Sequence, residues 1–182
     1  MLDDFDHVIA QARRGSPDAF QALYGDLVRP VAAYLRNKGV TEVDDVTSDV
    51  FLAAFTTLDS FSGGQAEFRS WVFTITHRRI VDHWRRTARS PALVELTADE
   101  DGTPSPAAEI GALDALSTER VHDLLNRLTD DQRDVLLLRI VADLTLEQTA
   151  EVLGKPAGAI KSLQHRGLAA LRKIFDAEGV SP

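Results

Sequence analysis

Apolar residues recur at helical spacing toward both ends of the chain, and no stretch alternates apolar and polar residues with a period of two. Residues 44–58 are representative, because an acidic first turn precedes a periodic set of apolar positions. These positions are Val46, Val50, Phe51, Ala54, Phe55 and Leu58. The pattern predicts an all-α fold.

Capping and helix-breaking residues delimit the helices near the N-terminus. Gly15 closes a helix predicted over residues 3–14, and Ser16 supplies an N-cap ahead of Pro17 for the next helix. Pro30 removes a backbone donor from this second helix. We therefore expect the second helix to bend or to be interrupted near its middle.

A helix predicted over residues 69–89 follows a turn-rich loop, residues 60–68, and has one basic surface. It carries several arginines interleaved with aromatic side chains: Arg78, Arg79, Arg85, Arg86 and Arg89 with His77, His83 and Trp84. Arginine pairs with phosphate and an exposed indole stacks on unpaired bases, so this composition suits single-stranded nucleic acid. The alternative is a solvated helix face with one tryptophan in the core.

The C-terminal part contains two capping boxes, in which Thr129 and Thr145 are each followed three residues later by glutamine. The first box begins a helix whose predicted buried positions are Val135, Leu136, Leu138 and Ile140. The second begins a short helix over residues 146–153 that Gly154 can end in the left-handed conformation. Pro156 then begins the final helix.

The final helix has two contrasting faces. One face is apolar and consists of Ile160, Leu163, Gly167, Leu171 and Ile174; the other is small or basic and consists of Gly158, Lys161, Ser162, His165 and Ala169. A DNA-reading helix needs such a division, because bulky groups near its N-terminus would keep it away from the bases. The alternative is an ordinary helical hairpin.

Negative charge is concentrated in the middle of the 182-residue chain, whose net charge is −8. Residues 90–117 contain six acidic residues, no basic residue and three of the seven prolines. We interpret this segment as a linker between two small helical domains, residues 1–89 and residues 118–182, although a solvated segment within one fold has the same composition.

Composition argues against several functional classes. The chain has no cysteine, which excludes disulfides and thiolate zinc sites within it, and it lacks glycine-rich phosphate-binding motifs. The histidines do not have metal-ligand spacing: they are His7, His77, His83, His122 and His165. No apolar run is long enough to span a bilayer and no signal peptide precedes the first helix. We therefore predict a cytoplasmic protein without membrane insertion, catalytic residues, metal or cofactor.

Three stretches in this order resemble the bacterial extracytoplasmic-function sigma factors of the sigma-70 family. They are "DDVTSDVFLAAFTTLDSF", "FRSWVFTITHRRIVDHWRR" and "LTDDQRDVLLLRIVADLTLEQTAEVLGKPAGAIKSL", with the acidic segment before the third. The resemblance extends over residues 5–175. It implies that the protein binds core RNA polymerase and promoter DNA, and that an anti-sigma factor controls it.

The resemblance also implies roles for residues in the N-terminal half. The first stretch resembles the helix that docks on the large catalytic subunit of the polymerase, through Asp44, Asp45, Asp49 and Phe51. The loop is similar to the one that captures a flipped base of the minus-10 element, through Ser62, Gly63, Gly64 and Gln65. The helix after it would face the start of the melted DNA through His77, Arg78, Asp82 and Trp84.

The C-terminal helix-turn-helix would read the minus-35 element in duplex form. The resemblance places Gly158, Lys161, Ser162, His165 and Arg166 at this contact. Its apolar outer surface would hold the polymerase flap, and the acidic linker would occupy the RNA-exit path. Arg78 stands where many family members have an asparagine, and Leu163 stands where many have a basic residue. Because of these two differences, the resemblance does not predict which promoter sequence is recognised.

Two other classes of protein fit parts of the sequence. A helix-turn-helix regulator with an N-terminal sensing or dimerisation domain would share the C-terminal half, but it should have a surplus of pocket-forming apolar residues. A helical adaptor would leave Lys161, His165 and the arginines of residues 78–89 without a role. We expect no further domain after Phe175.

Overall fold

The computed structural model describes residue 2, residues 4–89 and residues 120–178, and all regular elements within these ranges are helical. Eight of them are labelled α1 to α8 below. They are α1 (Phe5–Arg13), α2 (Pro17–Asn37), α3 (Val43–Thr56), α4 (Gln65–Arg89), α5 (residues 120–126), α6 (Asp130–Leu136), α7 (Leu146–Leu153) and α8 (Ala157–Glu178). A 3₁₀ turn, Leu58–Ser60, precedes α4, and a π-helical turn, Leu137–Val141, extends α6. The all-α fold is confirmed, and the predicted linker lies outside the described residues.

The predicted capping residues begin and end the helices where the sequence places them. The Ser16 hydroxyl accepts a hydrogen bond from the Ala19 amide and caps α2. Both capping boxes are complete, with Thr129 ahead of α6 and Thr145 ahead of α7. Gly154 ends α7 with φ of 62°, a conformation that other residues adopt at a cost.

Pro30 does not interrupt α2, so the helix continues from Pro17 to Asn37 as one element. Proline removes a single amide donor, while the neighbouring turns are fixed by fully buried side chains. Leu27 lies before Pro30, and Val31 and Tyr34 lie after it, all with exposures of 1% or less. Tertiary packing on both sides thus outweighs the lost hydrogen bond.

An aromatic cluster packs beneath the loop between α3 and α4. The Phe61 ring lies 5.3 Å from the rings of Phe68 and Trp71, and Phe68 lies 5.6 Å from Phe5 of α1. Rings at these distances and tilted angles attract each other beyond the area that they bury. The cluster therefore fixes the position of the loop at the N-terminus of α4.

The helices α6 and α8 cross closely at Gly167. A Cβ atom on this glycine would lie 3.1 Å from Leu136 Cδ1 and 3.5 Å from Gln132 Cβ. Val135, Ile160 and Leu163 form the small core beside this crossing. The apolar face predicted for the last helix is thus packed against α6.

The π-helical turn corrects one predicted core position. Leu138 is buried as expected, but Ile140 is 66% exposed, and Leu137 takes the inward position. A π turn contains more residues per turn than an α-helix, so it rotates the following side chains out of the 3.6-residue phase. A prediction based on constant helical spacing therefore fails from this point on.

The two halves of the described chain pack against each other. α7 lies on α4, and the π-helical turn lies on α2. Lys38 Nζ and Asp134 Oδ1 lie 2.6 Å apart across this seam, and buried residues from both halves form one continuous core cluster. The division into domains of residues 1–89 and 118–182 stays a prediction.

The stability of the fold should depend on the close crossing of α6 and α8 at Gly167. Gly167→Leu should lower the free energy of unfolding by about 1–3 kcal/mol, because the new side chain enters a contact already closed by Leu136. The control is Gly158→Leu in the same helix, where a Cβ meets nothing within 4 Å and a residue with higher helix propensity should be neutral or stabilising. Urea unfolding followed by circular dichroism measures both. Equal effects at the two positions would contradict the close crossing.

Candidate nucleic-acid interface

One exposed face of α8 contains all five residues expected at the minus-35 element: Gly158, Lys161, Ser162, His165 and Arg166. The opposite face is buried against α6, so the amphipathic pattern itself orients this surface outward. Within the described part of the chain, neither Lys161 nor His165 has a hydrogen-bond or ion-pair partner in the protein. Their polar groups are therefore available to a ligand.

Two residues of this face are bound to the helix backbone. The Ser162 hydroxyl donates to the Gly158 carbonyl at 3.0 Å, and Arg166 Nε donates to the Ser162 carbonyl at 3.3 Å. The Arg166 bond orients the guanidinium along the helix and leaves its other donors free to reach a phosphate. The face thus presents one oriented arginine beside unpaired basic groups.

In the loop before α4, the conformation at position 63 requires glycine. Gly63 has φ of 137°, and a Cβ atom there would lie 2.7 Å from Glu67 Cβ. The Gly64 amide donates to Glu67 Oε2 at 3.0 Å, and the Gly64 carbonyl accepts from the Phe68 amide, so Gly64 acts as the N-cap of α4. Ser62 and Gly63 are exposed at the tip of this loop.

Gln65 belongs to the first turn of α4 and not to the loop predicted over residues 60–68. Its Nε2 lies 3.4 Å from Asp26 Oδ2, at the limit of a hydrogen bond to α2. Arg69 reaches the same carboxylate oxygen at 3.3 Å. Burial raises the pKa of Asp26, but hydrogen bonds and the Arg69 guanidinium outweigh it and lower the pKa below its ordinary value.

A cavity of about 320 Å³ lies beside the loop and is lined by both halves of the chain. Ser62, Ser70 and Trp71 contribute hydroxyl groups and an indole ring from the loop and α4. Gln148 and Glu151 of α7 form the opposite wall. This cavity could not be predicted from the sequence, because it exists only where the two halves meet.

An exposed stripe runs along the C-terminal part of α4 and includes Arg78, Asp82, Arg85 and Arg86. Trp84 is 43% exposed, and its ring lies against Gly39, where an added Cβ would be 3.6 Å from the indole. One side of the indole is thus supported by the α2–α3 loop while the remainder is open. Such an arrangement can receive a stacked base.

His77 does not lie on the exposed surface of α4 that is expected to face DNA. Its Nδ1 lies 3.1 Å from the Tyr34 hydroxyl, and the ring is partly buried between α2 and α4. Burial lowers the pKa of His77; the Asp134 carboxylate opposes this effect and Lys38 adds to it. The imidazole is therefore neutral near pH 7 and belongs to the seam between the halves, because its partner is a buried tyrosine and not solvent.

The exposed face of α3 contains the predicted carboxylates but not the predicted aromatic residue. Asp44, Asp45 and Asp49 are exposed. Phe51 is only 3% exposed, because its ring packs 4.6 Å from Tyr24, so it is a core residue and not a surface contact. Leu52 is 68% exposed beside Asp49 and takes the apolar place on this face. Leu52 lies outside the set of apolar residues at helical spacing in this segment, and this is the feature of the sequence that indicates its exposure.

An apolar groove opens on the outer side of the C-terminal helices. It measures about 190 Å³, and its lining includes Val121, Leu124, Ile140, Leu171 and Phe175. The outward rotation at the π-helical turn brings Ile140 to this groove. An exposed apolar groove of this kind marks a protein contact surface.

No group of three histidine, cysteine, aspartate or glutamate side chains in residues 4–89 and 120–178 is arranged to hold a metal ion. In the same ranges, no helix combines the length and the apolar character needed to cross a membrane.

Two family matches coincide with the two halves. Sigma-70 region 2 matches residues 20–90, and Sigma-70 region 4 matches residues 124–173. The first match contains the glycine loop and the arginine stripe, and the second contains the exposed face of α8.

Relatives of known function are similar along most of the chain. SigD, an extracytoplasmic-function RNA polymerase sigma factor of Mycobacterium tuberculosis, is 31% identical over 181 residues, which cover 96% of this chain and 85% of SigD. BldN, a sigma factor of the same type from Streptomyces coelicolor, is 30% identical over 173 residues. The matched region covers 92% of this chain and 64% of BldN, slightly less than two thirds of that protein.

Solved structures show a similar arrangement of helices. CnrH in complex with the cytosolic domain of CnrY matches with a TM-score of 0.68 and 28% identity, covering 96% of this chain and 99% of CnrH. RpoE of Bartonella quintana, solved with NepR, has a TM-score of 0.58 at 19% identity and supports the fold alone. With both sigma-70 regions in order and SigD similar across nearly the whole length, the chain belongs to the extracytoplasmic-function RNA polymerase sigma factors.

Proposed function

We propose that this sigma factor binds core RNA polymerase, reads the minus-35 element with α8 and opens the minus-10 element with the glycine loop and α4. The observation that carries the proposal is the presence in one chain of two exposed nucleic-acid surfaces with different chemistry. The α8 face is small and basic, which suits duplex DNA. The loop and the arginine stripe with Trp84 suit unpaired bases.

The protein itself contributes recognition, and the polymerase contributes catalysis. We infer a regulatory and not an enzymatic role, carried out in the cytoplasm where the polymerase acts. A net charge of −8 is compatible with this role, because the core enzyme supplies much of the positive charge that neutralises DNA phosphates. Low affinity of the free chain for arbitrary DNA follows from the same charge.

Two protein-binding surfaces complete the proposal. The carboxylates of α3, together with Leu52, form an acidic face with an apolar centre for docking on the core enzyme. The groove around Ile140 offers an apolar site for the polymerase flap. An anti-sigma factor is also proposed, since CnrH was solved in complex with the cytosolic domain of CnrY.

Core binding should depend on the acidic face of α3. Asp49→Arg is expected to weaken binding to core polymerase, because it reverses a charge at the centre of that face while the exposed side chain leaves folding intact. Asp59→Arg is the control, since it makes the same charge change at an exposed position outside α3. Fluorescence anisotropy of the labelled chain with core enzyme measures both; equal affinities would remove the docking assignment.

Minus-35 recognition should depend on Lys161 and His165. Replacing a residue that contacts a base by alanine is expected to cost about 1–3 kcal/mol and to relax preference at one position, whereas loss of a phosphate contact should reduce the salt slope by about one. Lys173→Ala is the control, because Lys173 is exposed about two turns beyond Arg166 toward the C-terminal end of α8. Holoenzyme binding to mutated promoter duplexes at several salt concentrations distinguishes the two contacts. If Lys161→Ala and His165→Ala change neither quantity, α8 does not read DNA.

Promoter opening should depend on the loop conformation. Gly63→Val is expected to abolish opening while upstream duplex binding is retained, because the new side chain collides with Glu67 and disfavours φ of 137°. Gly25→Val is the control, at a helical glycine with open space around it. Permanganate reactivity of thymines at the minus-10 element reports opening by the holoenzyme. Unchanged reactivity in Gly63→Val would exclude a role for the loop.

A further inference from the structure

The first helix, α1, lies outside residues 20–90, which the match to Sigma-70 region 2 covers, and yet it contacts the loop before α4. Arg13, the last residue of α1, donates a hydrogen bond from Nη2 to the Phe61 carbonyl, 48 positions away in the chain. Phe61 directly precedes the exposed tip of the loop, which consists of Ser62 and Gly63. A helix outside the matched region thus holds one end of the surface proposed to receive a minus-10 base.

Phe61 is held through its amide, its ring and its carbonyl. The amide donates to the Leu58 carbonyl at 3.1 Å and closes the 3₁₀ turn. The ring packs 5.3 Å from the rings of Phe68 and Trp71, and only 6% of Phe61 is exposed. The bond from Arg13 satisfies the carbonyl. Because this bond is partly buried, water can replace it only in part.

The other end of the tip is held by α4 itself. The Gly64 amide donates to Glu67 Oε2 at 3.0 Å, and the Gly64 carbonyl accepts from the Phe68 amide at 2.9 Å. Only Ser62 and Gly63 lie between the two anchored residues. A two-residue tip with both ends fixed has few conformations, so it loses little entropy when it binds a base. Release of one end would restore that freedom and weaken binding.

The packing of α1 fixes Arg13 beside the loop. Ile9 and Ala12 are buried, with exposures of 6% and 1%, and Gly15, with φ of 84°, turns the chain after the end of the helix. Arg13 and Arg14 both place a positive charge at the C-terminal end of the helix, where the macrodipole favours it. The Arg14 side chain, however, is exposed and makes no hydrogen bond or ion pair to the described residues. The bond to the loop therefore distinguishes Arg13 from its neighbour.

We propose that Arg13 is a positioning residue for promoter opening, whose bond to the Phe61 carbonyl holds the glycine loop in the conformation that receives an unpaired minus-10 base. The reception of a base rests on the proposed function, whereas the hold on the loop does not. Such preorganisation raises affinity, because the loop is ordered when the chain folds and not when it binds DNA. Arg13 acts through the backbone of the loop and does not touch the base.

Arg13→Met removes the bond, and Arg14→Met is the matched control. Both variants remove one positive charge from the C-terminal end of α1 and introduce a residue of similar helix propensity, so they differ in the contact to the loop. Arg13→Lys keeps the charge but presents one ammonium group on a flexible stem, so it should restore the contact in part. Far-UV circular dichroism should show equal helicity for all three variants and the original chain.

Amide hydrogen exchange of the free chain, followed by NMR, measures the hold on the loop. The Phe61 and Gly64 amides are hydrogen-bonded at the two ends of the tip, so they exchange when the loop opens locally. We expect Arg13→Met to accelerate their exchange about three- to tenfold, the effect of one hydrogen bond, and Arg14→Met to leave it unchanged. Exchange at the buried residue Val72 of α4 should be the same in every variant. An equal acceleration at Val72 would indicate a general loss of stability and overturn the local role.

Promoter opening by the holoenzyme measures the consequence for DNA. On a promoter that the original holoenzyme opens only in part, Arg13→Met should lower the equilibrium constant for opening about three- to tenfold, read from permanganate reactivity of minus-10 thymines. Affinity for a minus-35 duplex should not change. Arg14→Met should match the original chain, and Arg13→Lys should lie between Arg13→Met and the original. A residue with only a structural role would lower both opening and duplex affinity, or neither.

Two results would overturn the role of Arg13. Unchanged exchange at Phe61 and Gly64 in Arg13→Met would exclude the hold on the loop. Faster exchange with unchanged opening would exclude the positioning role, because a looser loop would then receive the base equally well. Absence of opening with the original holoenzyme would instead contradict the proposed function, and exchange in the free chain, which uses neither polymerase nor DNA, would still decide whether Arg13 holds the loop.

Discussion

The helix α4 has three sides with different tasks. One side is buried in the core, another supports α7, and the third is left exposed for nucleic acid. The other surfaces of the protein depend on this division of α4 into three sides. Its buried positions include Phe68, Val72, Phe73 and Ile80, which fix the helix against α2 and α3. Because the helix is 25 residues long, its C-terminal part carries the arginine stripe beyond most of this packing. Because α4 is one continuous helix, its packing against the core sets the positions of the glycine loop at its N-terminus and of the arginine stripe near its C-terminus.

Local sequence signals predicted the parts of the fold that depend on local physics. The caps at Ser16, Thr129, Thr145 and Gly154 occur where expected, because each satisfies backbone groups within one helical turn. The exposed face of α8 was also predictable, since amphipathic spacing alone decides which side of a regular helix is buried. The family resemblance added the assignment of these surfaces to promoter elements.

Features that depend on tertiary contacts were not predictable from spacing. Phe51 has the same spacing whether it faces Tyr24 or a partner protein, and only the packed structure places it 3% exposed. Ile140 turns outward because of a π-helical turn, which the helical spacing of the apolar residues does not indicate. His77 joins a buried tyrosine from another helix, and the cavity at the seam is lined by residues some 80 positions apart in the chain.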